Sequence, residues 1–273
     1  MPGRIRYLRP LMYFFLRVSV SPWFISDAVI ASDDRAGLSG RIHAMKSLQL
    51  LLLFGVVCGT GMLIGGCGKK AEMKQKPLTI VFFGDSVTSG YGLSDPSESF
   101  VGRIEKIIEA GIYENVRVIN AGVNGDDTIE AFSRISSIKA YDPDIIVFAF
   151  GLNDCQNQHI DSSRFRQNLL RMMATFPPKT RIILATSNPF METGQVFWKE
   201  LNISLDKYMD EVRSISQGKG YLLIDVHEVW KEQLHLDSQM LESMYVDPTH
   251  PSAKGHQLIF ETYMDVLRKL LIR

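Results

Sequence analysis

Ser86 stands in Gly84-Asp85-Ser86-Val87-Thr88-Ser89-Gly90-Tyr91-Gly92-Leu93, directly after the apolar run Leu78 to Phe83. A serine hydroxyl is a poor nucleophile until a base within hydrogen-bond reach takes its proton and donors stand ready for the oxyanion formed on attack. The base candidate is His250, in Val246-Asp247-Pro248-Thr249-His250-Pro251-Ser252. Asp247, three residues ahead in a turn bracketed by prolines, can accept the proton of Nδ1 and leave Nε2 to take the serine proton. His227, two residues after Asp225, is the competing base, whereas His256 falls in a helical pattern. Taken singly, a serine after a strand is more often a turn or cap residue, so the reading rests on the combination.

Other chemistries find little footing. His159, His227, His235 and His256 are scattered singly, without metal-ligand spacing. Cys58 lies in an apolar run, Cys67 ends it and Cys155 is alone, so no disulfide framework is indicated, and Cys155 reads as a packing residue. The Gly59-Thr60-Gly61 run is no nucleotide loop, and the absence of Gly-x-Ser-x-Gly disfavours the common α/β-hydrolase elbow. Net charge is zero, but residues 1–66 hold seven of the 30 basic and three of the 30 acidic residues, leaving 23 against 27. A mildly acidic remainder argues against nucleic acid as a partner.

The elements that must position these residues alternate. Apolar, β-branched runs at Leu78 to Phe83, Val116 to Ile119, Ile145 to Phe150, Arg181 to Ala185 and Tyr221 to Ile224 read as strands buried on both faces. Helical patterns lie near Phe100 to Ala110, Thr128 to Ile138, Ser163 to Thr175, Trp198 to Ser216 and Ala253 to Leu271. The alternation predicts a three-layer α/β/α sandwich around a five-stranded parallel, flavodoxin-like doubly wound sheet over residues 78–273. In such sheets the site lies beyond the carboxyl ends of the strands. There the sequence places Gly84-Asp85-Ser86, Asn120 to Asp126 and Gly151-Leu152-Asn153-Asp154. Asp85 and Asp154 are expected to organise their turns, and Asp126 and Asp127 to cap the following helix.

Gly84-Asp85-Ser86, Asn120 through Gly125-Asp126, Gly151-x-Asn153-Asp154 and Asp247-x-x-His250-Pro251 follow the order of the four motif blocks of the SGNH (GDSL-type) hydrolases, which this chain resembles over nearly all of residues 78–270. Gly84 to Leu93 is similar to the thioesterase, lysophospholipase and arylesterase branch. The resemblance implies Ser86 as nucleophile, Asp247 and His250 as its partners, and the N–H groups of Ser86 and Gly125 with the Asn153 amide as oxyanion donors. In that branch the second-block glycine directly precedes an aspartate, which selects Gly125 over Gly122. A glycine suits close approach of backbone to the reacting carbonyl, and Asn153 supplies an N–H that an acidic residue could not. A turn glycine and a cap asparagine are the plainer alternatives. Leu152 and Pro248 depart from the branch, which has glycine at both positions, and leave subfamily and acyl preference open.

Upstream, Met45-Lys46, the apolar stretch Leu48 to Ile64 and Gly65-Gly66-Cys67 have the layout of a signal peptide over 45–66. Leu63-Ile64-Gly65-Gly66-Cys67 resembles a bacterial lipobox, which implies lipidation of Cys67 and a polar, basic tether over 67–77. Gly68, rather than aspartate, after the cysteine points to the outer membrane where the cell has one. An uncleaved membrane helix or a core helix are the alternatives for the apolar stretch. Residues 1–44 fit no signal, and Met45 is expected to be the true start; Leu11 to Ile25 as a membrane segment is weakened by Arg17 and Pro22.

The expected activity is hydrolysis of a small-molecule ester, lysophospholipid, thioester or acetylated sugar at the bacterial envelope, without a cofactor and with a membrane held through the lipid anchor. An acyltransferase on the same residues and a non-catalytic binding lipoprotein are the alternatives.

Overall fold

The computed structural model describes residues 76–157, 159–236 and 240–271; the signal segment and Cys67 lie outside them. β1 (Leu78–Gly84) leads through the single turn α1 (Ser86–Ser89) and α2 (Phe100–Glu109) to β2 (Val116–Gly122). α3 (Thr128–Ser133) and α4 (Ile135–Ala140) precede β3 (Ile145–Ala149), and α5 (Leu152–Gln156) and α6 (Ser162–Met173) precede β4 (Arg181–Ala185). α7 (Val196–Lys219), β5 (Leu222–Ile224), α8 (Val226–Leu236) and α9 (Ala253–Leu271) complete the described chain.

The strands pair in parallel in the order β2-β1-β3-β4-β5. Side chains alternate across a strand, and here both faces are covered. Val81, Phe83, Ile146, Phe148 and Leu184 pack against α3, α4, α6 and α7 through residues such as Phe165, Leu169, Met209 and Val212. Ile80, Phe82, Ile145, Val147 and Ile183 face α2, α8 and α9 through Phe100, Ile104, Trp230, Tyr263 and Leu267. Each such side chain contributes about 1.5–3 kcal/mol on full burial, which makes the sheet centre the rigid support for what hangs from its ends.

The expected architecture is therefore the observed one, with local differences. β2 and β5 are edges, and β2 carries exposed or half-buried side chains on most of its length, so burial on both faces holds only for the inner strands. The helix expected from Thr128 to Ile138 breaks at Arg134, which leaves helical geometry at φ −102° and ψ 11°. α8 was not anticipated, although Val226, Val229, Trp230 and Leu234 recur at helical spacing.

Register aligns the strand ends. Gly84 pairs with Gly122 and with Ala149, Ala149 with Ala185, and Ala185 with Ile224. The carboxyl ends of all five strands thus form one row. Chain order reverses between β1 and β3, the topological switch point where such sheets bind ligands.

Candidate active site

Gly84 closes β1 in a place that admits no side chain: a Cβ would lie 2.1 Å from Thr88 Oγ1 and 2.7 Å from Ala149 O. The chain then turns sharply into α1, whose N-cap is Asp85, with Oδ1 accepting from Val87 N at 3.0 Å. Ser86 is the first residue of that turn and is nearly buried. Its N–H is one of the amino-terminal donors that a helix cannot satisfy internally.

The base arrives on the loop before α9. Tyr245 bridges to Pro251, and Val246 N donates to His250 O at 2.9 Å, closing a tight loop. Within it Asp247 Oδ1 accepts from Thr249 N and His250 N, each at 2.8 Å, and Oδ2 contacts His250 Nδ1 at 2.7 Å. A carboxylate only accepts, so Nδ1 carries the ring proton and Nε2 is left as an acceptor. Nε2 lies 3.0 Å from Ser86 Oγ. Burial pushes the Asp247 carboxyl up, but the His250 hydrogen bond and the two backbone donors outweigh it and hold the group below the usual carboxylate range. The Tyr91 ring lies 4.5 Å from the His250 ring, centroid to centroid, and steadies its outer face.

Two further loops complete the crevice. Gly125 has φ +83°, a conformation that L side chains rarely adopt, while a Cβ there would meet nothing within 4 Å. Its glycine is thus required by the backbone turn; the close-approach reason expected from the sequence is not one the protein itself imposes. Asn153, after β3, donates from Nδ2 to Asp126 O at 2.9 Å. That bond uses one of two amide protons and orients the other. Asp154, fully buried, receives Thr128 N at 3.0 Å and the Thr128 hydroxyl, pinning α3 beneath Asn153; burial pushes its carboxyl up to about 7.

Of the two aspartates expected to cap α3, Asp127 does so in a reciprocal capping box with Glu130, whereas Asp126 pairs with Arg134. Arg134 escaped the sequence reading, since nothing in its spacing distinguishes it from a surface helix residue. From the break between α3 and α4 it also donates to Ala121 O at 2.9 Å and Gly84 O at 3.1 Å, and its guanidinium lies 4.7 Å from the Phe83 ring centroid. One planar fork thus ties the ends of β1 and β2 to the Gly125-Asp126 loop. Asn188 was likewise unforeseen; its amide donates to Thr249 O at 3.1 Å, while Met191 N holds Pro248 O at 2.7 Å, so the segment after β4 clasps the His250 loop.

The competing base goes elsewhere. His227 contacts Asp206 Oδ1 at 2.8 Å and Ser187 O at 3.2 Å, and Asp225 is occupied by Arg213 at 2.7 Å. It lines a separate cavity of about 460 Å³ that includes neither Ser86 nor His250. His256 is fully buried, its Nδ1 accepting from Phe100 N at 3.3 Å. Cys155 is buried, and burial pushes its thiol up to about 11, far from a reactive thiolate. Among the described residues no cluster of three or more His, Cys, Asp or Glu could hold a metal. A broad groove of about 640 Å³ is lined by Ser89 to Leu93 and Gly122 to Asn124, segments of the loops that follow Ser86 and precede Gly125. Tyr91, Val123 and Val246, in or next to these loops, expose much of their apolar surface.

An activated serine beside oriented N–H groups can open an acyl derivative by addition and elimination. Comparison with known proteins gives the family. The model of the GDSL-like Lipase/Acylhydrolase family matches residues 82–258. The chain is 28% identical over 114 residues to Esterase TesA of Pseudomonas aeruginosa, covering 41% of this chain and 55% of the relative. It is 26% identical over 139 residues to a Multidomain esterase of Ruminococcus flavefaciens, covering 49% of this chain and 17% of the relative. It therefore spans about half of one relative and a small part of the other. Among solved structures, a lipase/acylhydrolase from Enterococcus faecalis superposes with a TM-score of 0.59 at 25% identity, covering 71% of this chain and 96% of that one.

Proposed function

Because the chain belongs to the GDSL-like lipase/acylhydrolase family, we propose that it is a carboxylic ester hydrolase in which Ser86, His250 and Asp247 form the catalytic triad. Ser86 Oγ attacks the ester carbonyl as its proton passes to His250 Nε2, and Asp247 stabilises the imidazolium that results. The N–H groups of Ser86 and Gly125 and the free amide proton of Asn153 receive the oxyanion. Collapse of the tetrahedral intermediate expels the alcohol, which takes the proton from His250. Water then attacks the acyl-enzyme with His250 again as base, and the carboxylic acid departs. No cofactor enters any step.

The observation that carries this reading is the pair of contacts to one imidazole, 2.7 Å from Nδ1 to Asp247 and 3.0 Å from Nε2 to Ser86. The expected result of treatment with a fluorophosphonate probe is stoichiometric labelling that Ser86→Ala abolishes. Absence of labelling in the folded protein would favour a binding module. The exposed apolar edges of Tyr91, Val123 and Val246 suit the acyl part of an ester, whether of a lysophospholipid, a thioester or an acetylated sugar. A chain-length series of esters separates these.

The reading includes a place for the protein. Leu63-Ile64-Gly65-Gly66-Cys67 supports lipid attachment at Cys67 and residence at the bacterial cell envelope. Each buried acyl CH₂ contributes about 0.8 kcal/mol, so several chains anchor durably. Cys67→Ser is expected to move the protein from the detergent phase to the aqueous phase; unchanged partitioning with an intact upstream sequence would support a membrane helix instead.

A further inference from the structure

Next to the turn that carries Ser86 lies a small, partly enclosed cavity of about 20 Å³, walled by Asp85, Thr88, Thr186, Ser187, Asn188 and Val226 among others. Two of its walls carry an anomaly. Asp85 and Asn188 are 2% and 0% exposed, yet Asp85 Oδ2 and Asn188 Oδ1 receive a hydrogen bond from no protein donor. The amide orientation is fixed, because Asn188 Nδ2 faces two carbonyl oxygens, Pro189 O at 3.0 Å and Thr249 O at 3.1 Å. Buried polar atoms left unpaired are costly and rare. Two such acceptors on one small cavity point to a ligand with two donors.

A cavity of about 10–15 Å³ or more holds one water, provided that polar partners are present. A water has two O–H donors, which matches two orphan acceptors. We propose that this cavity binds a single structural water that bridges Asp85 Oδ2 and Asn188 Oδ1 and thereby couples the Ser86 turn to the His250 loop. Asp85 caps the turn that presents Ser86. Asn188 holds the carbonyl of Thr249, the residue before His250. The bridge thus joins the supports of nucleophile and base. It serves either protonation state of Asp85: an ionised carboxylate accepts one water hydrogen, and a protonated one donates to the water while the water still donates to Asn188. Asp85 and Asn188 act here as positioning residues.

The site is tested first without reference to activity. A crystal structure of the protein that resolves single waters should show one in this cavity, within about 2.7–3.1 Å of both oxygens. No ordered solvent, or direct contact between the two side chains, overturns the proposal. Val226→Ile adds one methylene at the cavity wall and removes no polar group. Where the crystal structure of the variant shows the water expelled, Tm should fall by several degrees, at about 2–4 °C per kcal/mol for a chain of this size; an unchanged or raised Tm in a variant that has lost the water overturns the bridge. The coupling has its own readout and rests on the hydrolase reading: kcat of the variant should fall several-fold with KM unchanged. Wild-type kcat in a variant whose crystal structure has lost the water removes the positioning role alone, whereas a wild-type protein that turns over no ester fails on the function and leaves the water test standing.

Discussion

Two histidines in this fold each stand within 3 Å of an aspartate, and only one of them is placed to move a proton. His250 has an acceptor on one side, Asp247, and a hydroxyl donor on the other, Ser86. That matches the neutral imidazole, which carries one N–H and one lone pair. His227 has acceptors on both sides, Asp206 at 2.8 Å and the Ser187 carbonyl at 3.2 Å. Its ring joins α8 to α7 and to the segment after β4, but no donor faces a lone pair, so it has no proton to accept from a nucleophile. Burial pulls its basicity down, with Asp206 opposing. An aspartate beside a histidine is therefore no mark of a base; the partner of the second nitrogen decides.

The largest effect follows from the His250 side of that contrast. Ser86→Ala is expected to lower kcat for ester hydrolysis by roughly four orders of magnitude or more, with the fold kept, as removal of a triad nucleophile does elsewhere. Steady-state kinetics together with circular dichroism measure both. Turnover near that of the wild type would break the comparison at its root.

Next in size is Asn153, which tests whether the donors opposite Ser86 act on the transition state. One amide proton is spent on Asp126 O, and the other is available to charge that appears only on attack. Asn153→Ala should lower kcat by about 10² to 10³ with little change in KM. A purely structural asparagine would instead cost about 1–3 kcal/mol of stability by leaving Asp126 O unpaired and leave kcat of the folded fraction intact. Measuring kcat, KM and Tm on the one variant separates the two.

The His227 arm predicts a near absence of effect on chemistry. His227→Gln keeps an amide donor for Asp206 and should change kcat by no more than about threefold. A fall in kcat comparable to that of Ser86→Ala would restore His227 as a base and sink the distinction.

Sequence made the functional half of this contrast readable. Asp247 and His250 lie three residues apart, so one tight loop suffices to pair them, and the strands announced themselves by continuous apolarity. The partners that were missed are remote in sequence. His227 finds Asp206 one helix earlier and not the nearby Asp225, because Arg213 claims the latter. Arg134 and Asn188 reach the site only through the aligned strand ends, a consequence of register. The break at Arg134 follows from the same tertiary bonds, which outweigh local helix propensity. Residues 45–67, with the lipid-attachment reading, lie outside the described structure.

A third histidine supplies the smallest and most specific prediction. His256 is fully buried, accepts a hydrogen bond from Phe100 N through Nδ1, and has no partner for Nε2. Protonation would abolish the accepted bond and place a charge in the core, and burial, the largest influence, pushes the group down from 6.5 to about 3. Between those values the unfolded chain binds the proton and the folded one does not, so stability rises with pH through this window and is lost as pH falls. Asp85 and Asp154, pushed up to about 7 by burial, act with the opposite sign between about 4 and 7, since their folded forms hold protons that the unfolded chain releases. The wild-type curve alone therefore conceals each contribution. His256→Gln keeps an acceptor within reach of Phe100 N and cannot titrate. The stability of wild type relative to this variant should be constant above about pH 7.5 and fall by about 1 kcal/mol between pH 6.5 and 5.5, at roughly 1.4 kcal/mol per unit below that. Denaturant melts of both proteins at half-unit pH steps measure the difference, and a difference curve that stays flat to pH 5 would show that His256 takes up its proton in the folded protein.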